Sequence, residues 1–233
     1  NSISVISEGF RRNLLQKQVP PGKVTVQNVW ADPEIIRPLP KENSFREEHG
    51  LLNKFVLLYS GNIGQTSAMQ EILFAANYLK SLKDVKFVIV GEGIRKDNLI
   101  KEAESKGLNN ILFLPFQPRD RYPEMLAAAD IGLVTLNDKS SFYSLPSKTF
   151  NIMASGRPVL AISPEDSEIA RLVNYADCGW NIPPGDNESL VNIIQKLMAD
   201  TCLDVIGLRG RKILEKEYSR ENCINQYEAL ISS

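Results

Sequence analysis

A chain of 233 residues, 43% hydrophobic and 24% charged, has the composition of an ordinary globular α/β protein, with apolar material for one large domain and a smaller appendage. Its net charge of −1 lacks the basic excess of a surface that tracks phosphate backbones, which argues against nucleic acid as a partner. Cys178, Cys202 and Cys223 are odd in number and lack C-x-x-C spacing, so they read as reduced core thiols of a cytosolic protein, and no apolar run reaches bilayer-spanning length.

In chain order, residues 3–6 make a strand-like run, and residues 7–17 a helix opened by Ser7 with Phe10, Leu14 and Leu15 on one face. Pro20, Pro21 and Gly22 break it, and residues 24–27 make a second short strand. Residues 28–50, with prolines at 33, 38 and 40 and mixed charges, have the composition of a linker. A strand, a helix and a strand cannot enclose a core, so residues 1–32 are expected to complete a domain whose other part is missing. The chain opens at Asn1 directly on a strand, as a piece of a longer protein does.

From Lys54 the pattern becomes regular. Residues 55–59, 85–90, 111–114, 131–136 and 159–162 are short apolar runs, with helix-length segments at 67–82, 96–106, 122–129, 147–155 and 167–175. Such runs are strands buried on both faces, and their alternation with helices predicts a doubly wound parallel sheet. A last strand at 179–182 precedes two or three consecutive helices. The expected division is 1–50 as the end of an N-terminal domain and its linker, 51–218 as the sheet domain, and 219–233 as a helix returning toward the N-terminal part.

In such a sheet, ligands bind outside the carboxyl ends of the strands. Gly61-Asn-Ile-Gly64 can bring backbone N–H groups to a phosphate or simply turn the chain. It lacks the third glycine of the dinucleotide fingerprint, and no Walker A sequence occurs. Gly91-Glu-Gly93 is a turn or a base and ribose contact, with the turn slightly favoured; Phe116 and Gln117 either hold a base or open a helix. Residues 144–163 read as a polar loop, a short helix, a glycine stop and a strand. Ser144 or Ser147 is the expected N-cap, Pro146 suits the first turn, and Gly156 ends the helix. The start of that helix attracts anions, and Lys148, a solvated lysine by default, sits where the helix dipole repels a cation unless an anion is near. Glu165, Asp166, Ser167 and Glu168 can reach ligand hydroxyls, although Asp166 or Ser167 reads better as a plain cap. The single histidine, His49, lies in the linker, and no D-x-D pair is present to hold a metal on a diphosphate.

Seven stretches speak together: Ser-Glu-Gly-Phe-Arg-Arg-Asn-Leu at 7–14, Val-Gln-Asn-Val-Trp-Ala-Asp at 26–32, Tyr-Ser-Gly-Asn-Ile-Gly at 59–64, Val-Gly-Glu-Gly at 90–93, Ala-Ala-Ala-Asp-Ile-Gly-Leu-Val at 127–134, Leu-Pro-Ser-Lys-Thr-Phe-Asn-Ile-Met-Ala-Ser-Gly-Arg-Pro-Val at 145–159, and Pro-Pro-Gly-Asp at 183–186. They resemble a GT-B glycosyltransferase of the large retaining family four, of the bacterial surface-polysaccharide and amino-sugar type. The resemblance covers the nucleotide-sugar-binding C-terminal half, a Rossmann-like domain, and the last strands of the acceptor half.

The resemblance implies transfer of a sugar, UDP-linked, to a glycan or lipid-linked acceptor, by a cytoplasmic enzyme that can associate with the inner face of the membrane. The 233 residues alone are expected to be inactive. It places Gly61, Asn62, Ile63, Gly64 and Ser144, Leu145, Pro146, Ser147 and Lys148 on the donor diphosphate and sugar. Asn151, Gly91, Phe116 and Gln117 fall on the ribose and base. No cofactor or metal is expected. Many relatives carry Arg and Lys in the glycine loop, where Asn62 and Gln65-Thr66 stand here, and two glutamates at the places of Tyr143 and Asn151. No catalytic residue is therefore assigned; Lys148 is expected to compensate for the lost phosphate charge and Asn151 to keep a neutral hydrogen bond to ribose. Two other readings remain: a nucleotide-sugar-binding subunit completed by a separate partner, and a non-hydrolysing sugar epimerase.

Overall fold

The computed structural model describes residues 2–64, 68–136 and 142–232. β1 (Ile3–Val5) and β2 (Val24–Val26) pair in parallel as a separate two-stranded sheet, crossed by α1 (Glu8–Gln16), whose N-terminus Ser7 caps by accepting from the Phe10 N–H. Strands this short cover little, and Ile3, Ile6 and Phe10 remain exposed.

The main sheet is wholly parallel. It comprises β3 (Phe55–Ser60), β4 (Val85–Val90), β5 (Ile111–Leu114), β6 (Ile131–Thr135), β7 (Val159–Ile162) and β8 (Gly179–Ile182), in the order β5-β4-β3-β6-β7-β8. The central strands β6 and β7 are buried throughout while the edge strands β5 and β8 are half-buried, which is why the middle strands carry the least interrupted apolar sequence. The two-residue alternation divides the core. Val56 and Leu58 face a layer that includes Met125, Phe150, Ile169 and Leu214; Leu57 and Tyr59 face one that includes Ile72, Leu99 and Leu190. Those side chains come from α5 (Tyr122–Ala127), α6 (Ser147–Ala154), α7 (Glu168–Ala176) and α9 (Leu203–Glu217) on the first face, and from α3 (Met69–Tyr78), α4 (Lys96–Ser105) and α8 (Asn187–Met198) on the second. The expected helix from residue 67 begins outside the described residues, and its described part starts at Met69.

The proline-bearing segment 28–50 is not a loose tether. Its helix α2 (Ser44–Glu48) is capped by Asn43 and carries Arg46, which is 1% exposed. The Arg46 guanidinium donates to Asp130 Oδ2 at 2.6 Å, to the Ala128 carbonyl at 2.8 Å and to the Lys54 carbonyl at 3.0 Å. Asp130 also accepts from Lys41 Nζ at 2.7 Å and from the Val56 N–H at 2.8 Å, so the carboxylate ties the segment to the first turn of the sheet. Buried charge is tolerated here because every one of these groups is paired.

α10 (Arg220–Ser232) runs back to the small sheet: Gln27 Nε2 donates to the Gln226 carbonyl, the Trp30 and Tyr227 rings meet edge-on at 6.5 Å, and the Ala31 N–H donates to the Tyr218 carbonyl. All three cysteines are free. Cys178 and Cys223 are buried as expected of core thiols, whereas Cys202 is exposed because it caps the start of α9 at the surface.

Candidate functional site

Between β3 and β6 the strand order reverses: the chain winds outward through β4 and β5 on one side and through β7 and β8 on the other. Loops leaving the carboxyl ends of such a pair diverge and leave a crevice. Here the crevice is bounded by the loop after β3, the loop after β4 and the start of α6.

The two glycine loops are knitted together. The Gly61 N–H donates to the Val90 carbonyl and the Ile63 N–H to the Glu92 carbonyl, at 2.9 and 2.8 Å. A Cβ on Gly91 would stand 1.9 Å from the Gly61 carbonyl oxygen, so only glycine permits the approach. Gly91 is thereby buried in a backbone contact, which is the turn reading. Of the residues expected on the diphosphate, Gly61 and Gly64 are half-buried and Asn62 is exposed at the rim, but Ile63 is fully buried in the core beneath them. Gln65 and Thr66 lie outside the described residues.

At α6 the expected serine cap is absent. Pro146 is the capping residue and offers no side-chain acceptor, Ser147 is already the first helical residue, and Ser144 lies further back in the loop. A proline can cap because its fixed φ leads into the helix, but it leaves the first N–H groups without a side-chain partner. Leu145 is buried in the core and anchors the turn.

Lys148 is not a solvated surface lysine. Its Nζ lies 3.7 Å from the centroid of the Tyr59 ring, and a Cβ on Gly61 would meet that Nζ at 2.5 Å. Tyr59 in turn donates its hydroxyl to the Asn62 carbonyl at 2.8 Å, which fixes the ring under the ammonium. Among the described residues Lys148 has no carboxylate partner. Burial alone pushes its pKa down to about 7. A lysine so placed, beside an uncapped helix start, puts positive charge and backbone N–H donors on the same side of α6, an arrangement that suits an anion.

One turn deeper on α6, Asn151 donates through Nδ2 to the Tyr122 hydroxyl at 3.2 Å. Tyr122 opens α5, and burial raises its pKa while hydrogen bonding to Asn151 and Ser60 pulls it back. Ser60 ends β3, so this cluster sits at the floor of the crevice. Tyr143, at the other family glutamate position, faces away. Its carbonyl accepts from Ser7 Oγ at 2.7 Å and its ring lies 5.6 Å from Phe10 on α1. Glu168 is likewise committed to Arg12 of α1 at 2.6 Å, and Ser167 is a plain cap on the Ala170 N–H. Ser167 is thus engaged as a cap, and Glu168 is held at Oε1.

Phe116 and Gln117 follow β5, farther out along the sheet. Phe116 is 55% exposed, and Gln117 folds its amide onto the Pro115 carbonyl. Ile94, 77% exposed on the loop after β4, is a second bare apolar side chain on this side. Tyr59 and Ser60 fall within the stretch that carries the resemblance but were given no role there, and Tyr122 was not singled out. The first two carried a signal, since polar tips at the last positions of an apolar strand face a ligand in a sheet of this kind; Tyr122 carried none beyond opening a helix.

Comparison with known proteins follows the same outline. The family model described as glycosyl transferases group 1 matches residues 41–224. WbjE of Pseudomonas aeruginosa, described as a probable glycosyltransferase, is 27% identical over 230 residues, covering 97% of this chain and 56% of that protein. WcaI of Escherichia coli, described as a putative colanic acid biosynthesis glycosyl transferase, is 31% identical over 176 residues, covering 75% of this chain and 42% of that protein. The chain thus spans about half the length of these relatives. Among solved structures, Anabaena HepE in complex with UDP and glucose superposes with a TM-score of 0.87 at 20% identity, covering all of this chain and 63% of that one.

Proposed function

This chain belongs to the group 1 glycosyl transferases, and on that premise we propose that it holds the diphosphate of a UDP-sugar donor in the crevice between the Gly61–Gly64 loop and the start of α6. The observation that carries this reading is Lys148: a partly buried amine lying on Tyr59 and against Gly61, with no anionic partner among the described residues. The GT-B architecture and the UDP-bound structural neighbour support it.

In sugar transfer the departing nucleoside diphosphate gains negative charge as the glycosidic bond breaks. Charge stabilisers aimed at that oxygen lower the barrier most. The Lys148 ammonium and the free N–H groups at the start of α6 supply positive charge from the chain itself, so the proposed donor site works without a bridging metal. Ribose lies against Asn151 one turn along, and the base reaches toward the exposed Phe116. The acceptor, a glycan or lipid-linked glycan of a polysaccharide pathway, approaches from the side of β1 and β2. Among the described residues no helix is long and apolar enough to cross a membrane; the proposed workplace is the cytoplasm, at the membrane's inner face when the acceptor is lipid-linked.

Calorimetry with uridine, UMP and UDP tests the site. Affinity is expected to rise with each phosphate and to be unchanged by a chelator. Equal binding of uridine and UDP refutes the diphosphate assignment, and loss of UDP binding on chelation refutes the metal-free reading.

A further inference from the structure

Gly9 is the second residue of α1, in ordinary helical backbone, where alanine would favour the helix. What excludes alanine is the neighbour: a Cβ on Gly9 would stand 1.9 Å from the Phe142 carbonyl oxygen and 3.2 Å from Glu168 Oε1. The first turn of α1 is thus pressed into the corner between the loop entering α6 and the start of α7. Ser7, 2% exposed, uses both faculties of a hydroxyl at the same corner: it accepts from the Phe10 N–H at 3.2 Å and donates to the Tyr143 carbonyl at 2.7 Å. The Phe10 ring lies 5.6 Å from that of Tyr143, and Arg12 holds Glu168 at 2.6 Å. The later turns of α6 are fixed in the core by Phe150, Ile152 and Met153. Its entry has Leu145 in the core and leans on α1 at Phe142 and Tyr143. The N–H groups at the start of α6 follow directly on that entry.

We propose that Ser7 and Gly9 are positioning residues of the donor site: the first turn of α1, which belongs to the other sheet, holds residues 142–146 in place and through them the start of α6. The proposal rests on the donor-site reading above. Ser7 holds the loop by one hydrogen bond, and Gly9 lets helix and loop approach closely enough to form it. The uridine end of the donor, lying along the later turns of α6, is indifferent to this contact.

The test titrates UDP and uridine by calorimetry into the chain, Ser7→Ala and Gly9→Ala, with folding followed by melting. Ser7→Ala is expected to bind UDP roughly two- to tenfold more weakly, the scale of one hydrogen bond of the usual strength. In Gly9→Ala the methyl forces loop and helix apart, and UDP should bind about tenfold more weakly. Uridine should bind both variants as it binds the unaltered chain. Gly9→Ala keeps the Ser7 cap and improves the helix, so a loss there comes from the contact and not from a frayed α1. If one variant does not fold, the other decides. A folded variant that binds UDP as tightly as the unaltered chain, or an equal loss for UDP and uridine, overturns the inference alone. Failure of the unaltered chain to prefer UDP over uridine overturns the donor-site reading and this inference with it.

Discussion

Protonation of Lys148 gives the donor site a pH dependence whose sign and size follow from the structure. In the free chain burial sets the pKa of Lys148 at about 7. A bound diphosphate favours the ammonium and raises that pKa, so binding takes up a proton from neutral pH upward. If only the charged form binds well, affinity follows the charged fraction, which is about one half at pH 7 and about one thirtieth at pH 8.5. UDP affinity should then fall roughly fifteenfold across this interval, where the nucleotide's terminal phosphate is already mostly dianionic. Calorimetry in two buffers of different ionisation enthalpy reads both the affinity and the proton uptake. The same reasoning applies to folding. The folded pKa lies below that of an unfolded lysine, so the folded chain binds fewer protons between about pH 7 and 10 and its stability rises with pH across that window. Lys148→Met, which keeps the stem and removes the charge, should stabilise the ligand-free chain below pH 7 and flatten the binding profile. An affinity that stays constant from pH 7 to 8.5, with no proton uptake, refutes this account of Lys148.

Two further substitutions follow from the packing. Asp130→Ala takes from the buried Arg46 guanidinium its buried carboxylate, leaving only the more exposed Glu42 beside it, and strips a partner from the Val56 N–H; the cost should approach the roughly 3–5 kcal/mol of a broken buried pair, read as a lower midpoint in denaturant unfolding. Unchanged stability would mean that the segment before β3 is not pinned as described. In Gly61→Ala the added methyl meets Lys148 Nζ at 2.5 Å on a backbone of φ +151°, so the ammonium must move; UDP affinity should drop about tenfold, the scale of one misplaced charge-assisted hydrogen bond. Undiminished UDP binding places the phosphates elsewhere.

Much of this architecture was legible in the sequence because strands buried on both faces are written as uninterrupted apolar runs, as in residues 131–134 and 159–162. The glycine stop at Gly156 and the cap at Ser167 were legible for a similar reason, since each is a local rule obeyed by a few neighbouring residues. What escaped was set by partners remote in sequence. Arg46 looks like one more charge in a mixed linker until Asp130 is seen beside it. Lys148 was named as an anion partner from its place on α6, but its contact with the ring of Tyr59 on β3 shows only in the fold. Within 144–148 the choice between two serine caps missed a third option, that the proline itself opens the helix and leaves its N–H groups free. Of the site, the loops at the strand ends and Asn151 were readable; the Tyr122 phenol beside that amide became visible only once α5 and α6 were placed side by side.

The central claim, that the crevice binds the donor's diphosphate through Lys148 and the start of α6, is tested most directly by titrating UDP and uridine into the chain and into Lys148→Met at pH 7, with folding monitored by melting. A charge-assisted contact is worth about 1.5–3 kcal/mol, so UDP should bind the variant roughly ten- to a hundredfold more weakly while uridine binding stays the same. A folded Lys148→Met that binds UDP as tightly as the unaltered chain contradicts the account.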